Sequence, residues 1–366
     1  MQNISFKAYN NKKLKQIHQK INTSAWIWNH CIALQKRYYR LYGKFINLNV
    51  LQKHIAKLRN KNLKWKELTA QSVQELCERV DSAYKRFFKK LSKRPPKFKK
   101  AKDFNSFVLK QSGWKSEENV LIISGVKYKF SKSRDCENIK RITVKRNSLG
   151  EIFFIFCCDM KPKPFERVGN STIGMDFGLK VYLTLSDGKE IKSPEFFKQN
   201  LKLIKKSNKK VSTKRKGSNN RGKALKNLQR AHLNVSNKRT DFEWKLAHEL
   251  CKQYSFIAIE DLNIEGMKKL WGRKISDLSF SSFILKLEQV ALKYGTVVQK
   301  VGRYYASSKT CSCGSINKEL KLSDREWACV SCGTIHQRDL LAANNILSEG
   351  IRLYRTKCKT DIVSAT

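Results

Sequence analysis

Apolar residues recur at two spacings along the chain, and the change of spacing divides the chain into regions. Between residues 66 and 92 the spacing is three or four positions, which predicts an amphipathic helix. Its apolar positions are Val73, Leu76, Val80, Tyr84, Phe87 and Leu91. A second helix is predicted near residues 12–43, and Pro95 and Pro96 then end helix formation. We therefore expect residues 11–94 to form a helical region.

Between residues 104 and 160 the apolar residues are mostly β-branched or aromatic and lie in short runs, which is typical of strands. The runs cover residues 106–109, 120–123, 142–144 and 152–158. Together with the start of the chain, these strands are expected to form a small β-barrel over residues 1–10 and 95–165. The helical region would then be an insertion in this barrel.

The second half of the chain alternates between the two patterns. Three short strands are predicted after residue 171, with Asp187 and Gly188 as a turn signal. Helices are predicted near residues 195–253 and 281–294 and from Asp339, and strands at 256–259 and 296–301. A meander of three strands followed by alternating helices and strands is the element order of a ribonuclease-H-like α/β domain, although periodicity alone does not choose it over another α/β fold. The sequence thus predicts an α+β multidomain protein.

The charge of the chain is strongly unbalanced. There are 76 Lys and Arg residues against 30 Asp and Glu residues, which gives a formal net charge of +46. Such an excess predicts a polyanionic partner, because each neutralised phosphate releases condensed counterions. The chain has no run of about 18 apolar residues, which disfavours a transmembrane protein, and its first residues lack the apolar stretch of a signal peptide. We therefore expect a cytoplasmic protein with no membrane partner.

Residues 202–230 form a basic segment with twelve Lys or Arg residues and no acid. A solvated helix face is the plain alternative, but such density without a balancing Glu is self-repulsive, and an element that follows phosphates is favoured. The densest cations are Lys205, Lys206, Lys209, Lys210, Lys214, Arg215, Lys216, Arg221 and Lys223. Residues 217–223 also fit the outline of a phosphate loop. We reject that reading because Ala224 stands where a magnesium-binding hydroxyl is needed.

Four of the eleven cysteines lie close together, as the pairs Cys311 and Cys313, then Cys329 and Cys332. Two such pairs can close a tetrahedral zinc site, and an intracellular setting favours a metal over disulfides. The first pair is one residue shorter than the usual spacing. Two unrelated pairs, or a site that no longer holds metal, are therefore the alternatives to a zinc ribbon, and His336 would be a substitute ligand.

Three acids stand at the predicted ends of elements. Asp176 and Glu260 end strands, and Asp339 precedes the last helix. Each alone would suit a turn or a helix cap. In a ribonuclease-H-like sheet, however, acids at the ends of strands one and four and on the last helix converge. Such a group cannot ionise comfortably without cations, and it would hold two divalent ions about 4 Å apart, an arrangement that hydrolyses phosphodiesters.

Several segments resemble one known family. Residues 173–178 are similar to the first RuvC motif of the OrfB/TnpB proteins, which bacterial insertion sequences encode, and residues 257–263 are similar to the second. The zinc ribbon and third RuvC motif are matched by residues 307–311, 325–329 and 336–339, and other family blocks by residues 95–99 and 217–221. Gln337 and Leu341 stand where the family usually has Asp and Asn. The resemblance covers nearly the whole chain.

The resemblance implies RNA-guided cleavage of double-stranded DNA. In this family a guide RNA pairs with one DNA strand, the protein reads a short flanking motif, and one Mg²⁺-dependent RuvC site cuts both strands. Asp176, Glu260 and Asp339 would be the catalytic acids and hold two Mg²⁺ ions. Arg338 would steady the scissile phosphate, and the basic segment would line the nucleic-acid channel. The protein would act as a monomer in the bacterial or archaeal nucleoid.

The same resemblance implies a domain plan. The barrel and the helical region would bind guide RNA and duplex DNA. The other implied domains are a nuclease domain over residues 166–305 and 336–350, a zinc ribbon over residues 306–335 and a C-terminal tail over residues 351–366. Trp26, Trp28 and Tyr38 in the first helix either form helix core, which we favour, or stack on bases.

Three other functions are weighed against this one. A compact type V CRISPR effector shares the nuclease and is hardly separable by sequence. A guided DNA-binding protein that has lost cleavage is disfavoured because all three acids are present. A zinc-ribbon DNA-binding protein that works without RNA would not co-purify with one RNA of defined size.

Overall fold

The computed structural model describes residues 2–159, 164–321 and 324–363, and the chain divides into two units, Met1–Lys161 and Pro162–Thr366. The elements of the first unit are β1 (Gln2–Lys7), α1 (Leu14–Tyr42), α2 (Leu48–Lys61), α3 (Leu63–Lys66), α4 (Ala70–Phe88), β2 (Ser106–Leu109), β3 (Trp114–Glu117), β4 (Val120–Ile123), β5 (Val126–Lys129), β6 (Ile139–Arg146) and β7 (Ile152–Cys158). Helices α1 to α4 thus lie between β1 and β2 in the chain.

The helices of the first unit follow the apolar spacing. In α4, Val73, Leu76 and Val80 are buried, and the helix begins where the Thr69 side chain accepts a hydrogen bond from the Ser72 N–H. The predicted helix continued to Leu91, but that side chain lies beyond the end of α4 and is exposed. The apolar positions from Val73 to Tyr84 therefore hold α4 against the core without the last predicted turn.

The strands of the first unit form two sheets among the described residues, joined by an isolated antiparallel bridge between Ala8 and Phe130, and the predicted closed barrel is not shown. One sheet has the order β1-β7-β6-β2, and the other, an antiparallel meander, has the order β3-β4-β5. Apolar runs predict which residues are extended, but not which strand edges pair. The meander strands have four residues each and pair among themselves, while Phe130, after β5, packs against Phe6 and Phe156 of the larger sheet.

The elements of the second unit are β8 (Ser171–Phe177), β9 (Val181–Leu185), β10 (Glu190–Lys192), α5 (Phe196–Gln199), α6 (Leu201–Ser212), α7 (Asn219–Gln253), β11 (Tyr254–Glu260), α8 (Ile264–Leu278), α9 (Phe280–Tyr294), β12 (Val297–Val301), β13 (Glu326–Ala328), β14 (Ile335–Gln337) and α10 (Arg338–Val363). α10 extends through most of the predicted C-terminal tail, whose last three residues lie outside the described part of the chain. None of the helices in the described residues has the length and apolar character that a membrane crossing requires.

A mixed sheet with the order β10-β9-β8-β11-β12 organises the second unit. β8, β9 and β10 form the predicted antiparallel meander, and β11 runs parallel to both β8 and β12. Side chains alternate between the two faces of a strand. Met175 and Ile259 are buried on one face with residues of α7 and α9, whereas Ala258 faces Ile346 of α10 on the other. The sheet is thus covered by helices on both faces.

Glycine allows α10 to approach the sheet closely. A Cβ atom at Gly174 on β8 would overlap the carbonyl oxygen of Ala343 and lie 2.8 Å from Cβ of Leu347. A Cβ atom at Gly350 would lie 2.6 Å from Cβ of Ala258 on β11. These contacts fix α10 against β8 and β11, and therefore fix where its N-terminus lies relative to the ends of the strands.

Candidate active site

Asp176 and Glu260 lie side by side at the ends of neighbouring parallel strands. Met175 on β8 is in register with Ile259 on β11, so the next residue on each strand is an acid. Met175 and Ile259 point into the core beneath α7 and α9. Because side chains alternate along a strand, the two acids point to the opposite face, which α10 covers.

Asp339 reaches the same place from α10. It is the second residue of that helix and lies one turn before Ala343, whose carbonyl oxygen faces Gly174. Gly174 itself is two residues before Asp176 on β8. The charges of Glu260 and Asp339 both act on the Asp176 carboxyl, so Asp339 lies near the strand end that carries Asp176. The three acids predicted from the sequence are therefore at the same end of the sheet.

The pKa of Asp176 reflects its burial and the acids near it. Burial, followed by the negative charges of Glu260 and Asp339, raises the pKa of Asp176 to about 7, and the Arg338 guanidinium opposes this rise. Part of the Asp176 residue is open to solvent, but the atoms packed around its carboxyl make burial the largest cause. The pKa of Glu260 is also raised, first by burial and then by Asp261.

The three acids suit hard divalent cations. Carboxylate oxygens are the ligands that Mg²⁺ prefers, and a bound cation would relieve the repulsion that raises the pKa of Asp176. Asp339 and Asp261, the neighbour of Glu260, already have cationic partners, because Arg325 lies 2.5 Å from Asp339 and Arg303 lies 2.8 Å from Asp261. Sequence reasoning did not identify either arginine, although Arg325 opens one of the family-like segments.

The four predicted cysteines also come together. The sulfur atoms of Cys311, Cys313, Cys329 and Cys332 lie within 4.8 Å of one another, and two of the pairs are 3.5 and 3.7 Å apart. A tetrahedral zinc ion with Zn–S bonds of about 2.3 Å separates its sulfur ligands by about 3.8 Å, so the arrangement fits this ion. Hydrogen bonds from the backbone N–H groups of Ser331 and Cys332 lower the pKa of Cys329 to about 6, which favours its thiolate form. The shortened first pair therefore does not keep the four sulfur atoms apart.

His336 lies beside this cluster. Its Nε2 atom is 3.0 Å from the Sγ atom of Cys311, and its ring packs on Trp327 with the ring centroids 5.0 Å apart. The four sulfur atoms form the group without it. His336 thus contacts a cysteine of the cluster instead of replacing one.

The basic segment lies on α6, α7 and the loop between them. The cations Lys205, Lys206, Lys209, Lys210, Lys214, Arg215, Lys216 and Lys223 are exposed. Arg221 differs, because its guanidinium donates to the carbonyl oxygens of Val211 and Lys214, at 2.8 and 3.1 Å. This arginine closes the C-terminal end of α6, a role that a count of charges could not have revealed.

The aromatic residues of α1 separate into two groups. Trp28 is buried, with 4% of its surface exposed, and its indole N–H donates to the carbonyl oxygen of Lys97. Trp26 and Tyr38 are 46% and 37% exposed. The interpretation as helix core therefore holds for Trp28 and not for the other two.

Two family models match the chain, one described as a probable transposase of the OrfB_IS605 type, over residues 155–270, and one described as a Cas12f1-like TNB domain, over residues 280–346. A Streptomyces pristinaespiralis protein named as an RNA-guided DNA endonuclease is 30% identical over 293 residues, which is 78% of this chain and 72% of the relative. InsQ of Escherichia coli, which carries the same kind of name, is 26% identical over 348 residues, or 89% of this chain and 86% of InsQ.

Among solved structures, a cryo-EM structure of a Cas12f1–sgRNA–target DNA complex matches the fold. Its TM-score is 0.60 at 16% sequence identity, over 92% of this chain and 83% of the Cas12f1 chain. The likeness concerns the fold alone, whereas the family models and the Streptomyces relative establish kinship. The chain belongs to the OrfB/TnpB family, the family that its motifs resemble.

Proposed function

We propose that this protein is an RNA-guided DNA endonuclease. A bound guide RNA would pair with one strand of double-stranded DNA next to a short flanking motif, and a single RuvC-like site would cut both strands. The convergence of Asp176, Glu260 and Asp339 on one end of the sheet carries the proposal. The names of the Streptomyces and Escherichia coli relatives support it.

In this proposal Asp176, Glu260 and Asp339 would hold two Mg²⁺ ions. Such a pair of ions supplies an activated water and stabilises the oxygen that leaves the phosphodiester. Asp176 must give up its proton before it can bind a cation, because its pKa is about 7. Activity should therefore fall as the pH drops below neutrality.

Two arginines would act beside the acids. The charge of Arg338 already acts on Asp176 from the start of α10, where the guanidinium can steady the scissile phosphate. Arg325 holds Asp339 in an ion pair, and its backbone carbonyl accepts a hydrogen bond from the Arg338 N–H at 2.8 Å. The side chain of Arg325 would thus compete with cations for Asp339.

The basic segment would follow the nucleic-acid backbone. Its exposed lysines have no ion-pair partner among the acids of the described residues. A guide–target heteroduplex is recognised through its shape and phosphates, which requires cations more than base-specific contacts. Arg221 is left out of this role because it bonds to the backbone of α6.

The four cysteines would hold a structural zinc ion. With four sulfur ligands the coordination shell is closed, which is typical of a structural and not of a catalytic site. The ribbon they stabilise includes β13 and β14, and β14 leads directly into α10. Zinc would therefore support the start of the helix that carries Asp339.

The proposal is tested by purifying the protein after co-expression with its native flanking DNA and sequencing the bound RNA. A plasmid with a target that matches this RNA, next to randomised flanking bases, is then offered with Mg²⁺. The wild type should cut it, and Asp176→Ala should bind the same target within about twofold while cutting at least about a hundredfold more slowly. Undiminished cutting by this variant would contradict the site, and the absence of bound RNA would contradict guidance.

A compact type V CRISPR effector is the second candidate, and the fold likeness to Cas12f1 favours it. The two candidates share the nuclease and differ in the source of the guide. The sequenced RNA separates them, because a CRISPR guide contains a repeat and a transposon guide maps to the end of the element. A guided binder without cleavage is disfavoured because all three acids are present and lie together.

A further inference from the structure

An exposed aromatic surface lies where α1 and α4 end. It consists of Tyr38, Tyr39, Tyr42, Phe45 and Phe88. The ring centroids of Tyr38 and Tyr42, of Tyr39 and Phe45, and of Phe45 and Phe88 are each 4.7 Å apart. Tyr39, Tyr42 and Phe88 are 51%, 63% and 51% exposed. The rings form two contacting sets, Tyr38 with Tyr42 and Tyr39 with Phe45 and Phe88, and Tyr39 and Tyr42 are three residues apart on α1, which places the sets side by side. Single exposed aromatic residues are ordinary, but several rings grouped in this way mark an interaction site.

The aromatic surface is held in place by the backbone around it. Gly43 ends α1 in the left-handed conformation, with φ of 65°, and its N–H donates to the Tyr39 carbonyl oxygen at 2.8 Å. The chain can then turn back so that Phe45 stacks on Tyr39. The Gln35 side chain fixes the loop by hydrogen bonds to both the N–H and the carbonyl oxygen of Ile46, at 2.9 and 3.0 Å. The rings are therefore ordered before any ligand arrives, which reduces the entropy cost of binding.

Cations surround the rings and acids are missing from the same segments. Residues 34–48 contain Lys36, Arg37, Arg40 and Lys44, and residues 82–100 contain nine Lys or Arg residues; neither segment contains an acid. The two segments lie next to each other, because Nζ of Lys36 is 4.8 Å from the ring centroid of Phe98. A ligand of this surface must therefore carry negative charge.

The combination of rings and cations selects among negatively charged ligands. Duplex nucleic acid offers phosphates, but its bases are stacked on one another and cannot cover exposed rings. Unpaired nucleotides offer both phosphates and free base faces, and proteins bind them through aromatic and cationic side chains together. A second copy of this chain would place two such groups of cations opposite each other, which is repulsive.

We propose that the aromatic surface stacks unpaired nucleobases while its flanking lysines and arginines bind their phosphates. The inference rests on the proposed function in that the chain would work with a guide RNA and open DNA strands, both of which contain unpaired nucleotides. It deepens that function by naming the ligand of this unit and the residues that hold it. RNA and single-stranded DNA share this chemistry.

The test compares single strands with a duplex. The probes are a dodecamer of uridylate RNA, a dodecamer of thymidylate DNA and a mixed-sequence RNA duplex of the same length, each with a fluorescent end label. The double variant Tyr39→Ala/Tyr42→Ala should bind a single-stranded probe about 5- to 150-fold more weakly than the wild type, since stacking contributes about 1–3 kcal/mol per base. Its affinity for the duplex should change less than about twofold. Whichever single strand shows the larger loss identifies the preferred source.

Two controls separate stacking from other effects. Tyr39→Phe/Tyr42→Phe keeps the rings and should bind single strands like the wild type. Tyr9→Ala removes another exposed tyrosine of the same unit, 54% exposed and outside the surface, and should change nothing. As a second readout, uridylate RNA that contains 5-iodouridine should cross-link to the peptide that carries Tyr39 and Tyr42.

Several outcomes would overturn the inference. If the double variant loses affinity equally for the single strands and the duplex, the surface binds only phosphates. If the cross-links form only in other peptides, the bases stack elsewhere on the protein. A change in oligomeric state on sedimentation, with unchanged affinity for every probe, would assign the rings to a second copy. Failure of the proposed function has a different result, because the target plasmid would then stay uncut or no RNA would co-purify, whereas the contrast between wild type and variant in probe binding does not depend on cutting.

Discussion

Replacing Asp176 by asparagine is expected to stabilise the metal-free protein in alkaline buffer, although the replacement removes a proposed catalytic acid. Burial, followed by the charges of Glu260 and Asp339, raises the pKa of Asp176 from 3.8 to about 7. The folded protein therefore binds this proton more tightly than the unfolded chain does. Stability from this group is full below pH 3.8 and is lost as the pH rises through about 7. Asparagine has nearly the same shape and no charge, so it avoids the loss.

The size of the effect follows from the same two pKa values. Each pKa unit corresponds to about 1.4 kcal/mol, so the rise from 3.8 to about 7 costs up to about 4 kcal/mol once Asp176 is ionised. At about pH 5.5 only the unfolded chain has released the proton, and the cost is up to about 2 kcal/mol. Both values are upper limits, because part of the residue is open to solvent and screened. The gain from Asp176→Asn should thus roughly double between about pH 5.5 and 8.5.

Hydrogen exchange of the β8 and β11 amides, in buffer free of divalent cations, measures the free energy of opening of this sheet separately from the first unit. Asp241→Asn is the matched control, because Asp241 is 63% exposed and pairs only along α7 with Lys245, so its loss should change stability by less than about 0.5 kcal/mol at either pH. If Asp176→Asn does not raise the free energy of opening, or raises it equally at both pH values, the Asp176 carboxylate is not buried among other acids as described. Adding Mg²⁺ should stabilise the wild type and leave the variant unchanged.

Three further predictions concern the ribbon, the helix contact and the ion pair. Cys329→Ser should lower the zinc content of purified protein from about one ion per chain to nearly none, because it leaves three sulfur ligands; unchanged zinc by elemental analysis would refute the four-cysteine set. Gly174→Ala should lower the opening free energy of α10 by about 1–3 kcal/mol, because its methyl group overlaps the helix backbone. Gly222→Ala on α7, where the new methyl group meets open space, should stabilise slightly or not at all, and equal effects of the two would contradict the close contact. Arg325→Gln should tighten binding of Mn²⁺, measured by calorimetry, by up to about fivefold, because it removes a cation that competes for Asp339; weaker binding would instead show that orienting the acid matters more.

Local burial patterns predicted much of the secondary structure. The runs at 106–109, 120–123 and 181–185 coincide with β2, β4 and β9, because alternation or continuous apolar character is imposed where a strand is buried. α8 was missed, since Gly266 and Gly272 weaken its helical signal and Trp271 interrupts the helix with non-helical angles. The sequence could not establish how the strands of the first unit pair, because pairing depends on contacts between distant residues.

The candidate site was predictable where chemistry fixes the residue type. Few residues in the chain are acids at predicted strand ends or closely spaced cysteines. Spacing and the family resemblance were therefore sufficient to select them. The arginines that pair with Asp339 and Asp261 were not, because ion pairs across 14 and 42 residues leave no local pattern. Nor could the sequence distinguish Arg221, which bonds to backbone, from the exposed cations around it.

The direct passage from β14 into α10, with Gln337 ending the strand and Arg338 beginning the helix, has a consequence for attempts to make a smaller protein. No linker separates the ribbon from α10, so a deletion that ends at the ribbon acts directly on the helix. Excising residues 306–335 as a dispensable module would free the first turn of the helix and with it the direction of its acid. A shorter protein without the ribbon would need another element to hold the first turn of α10. Shortening α10 from its C-terminal end would leave the ribbon and that first turn unchanged.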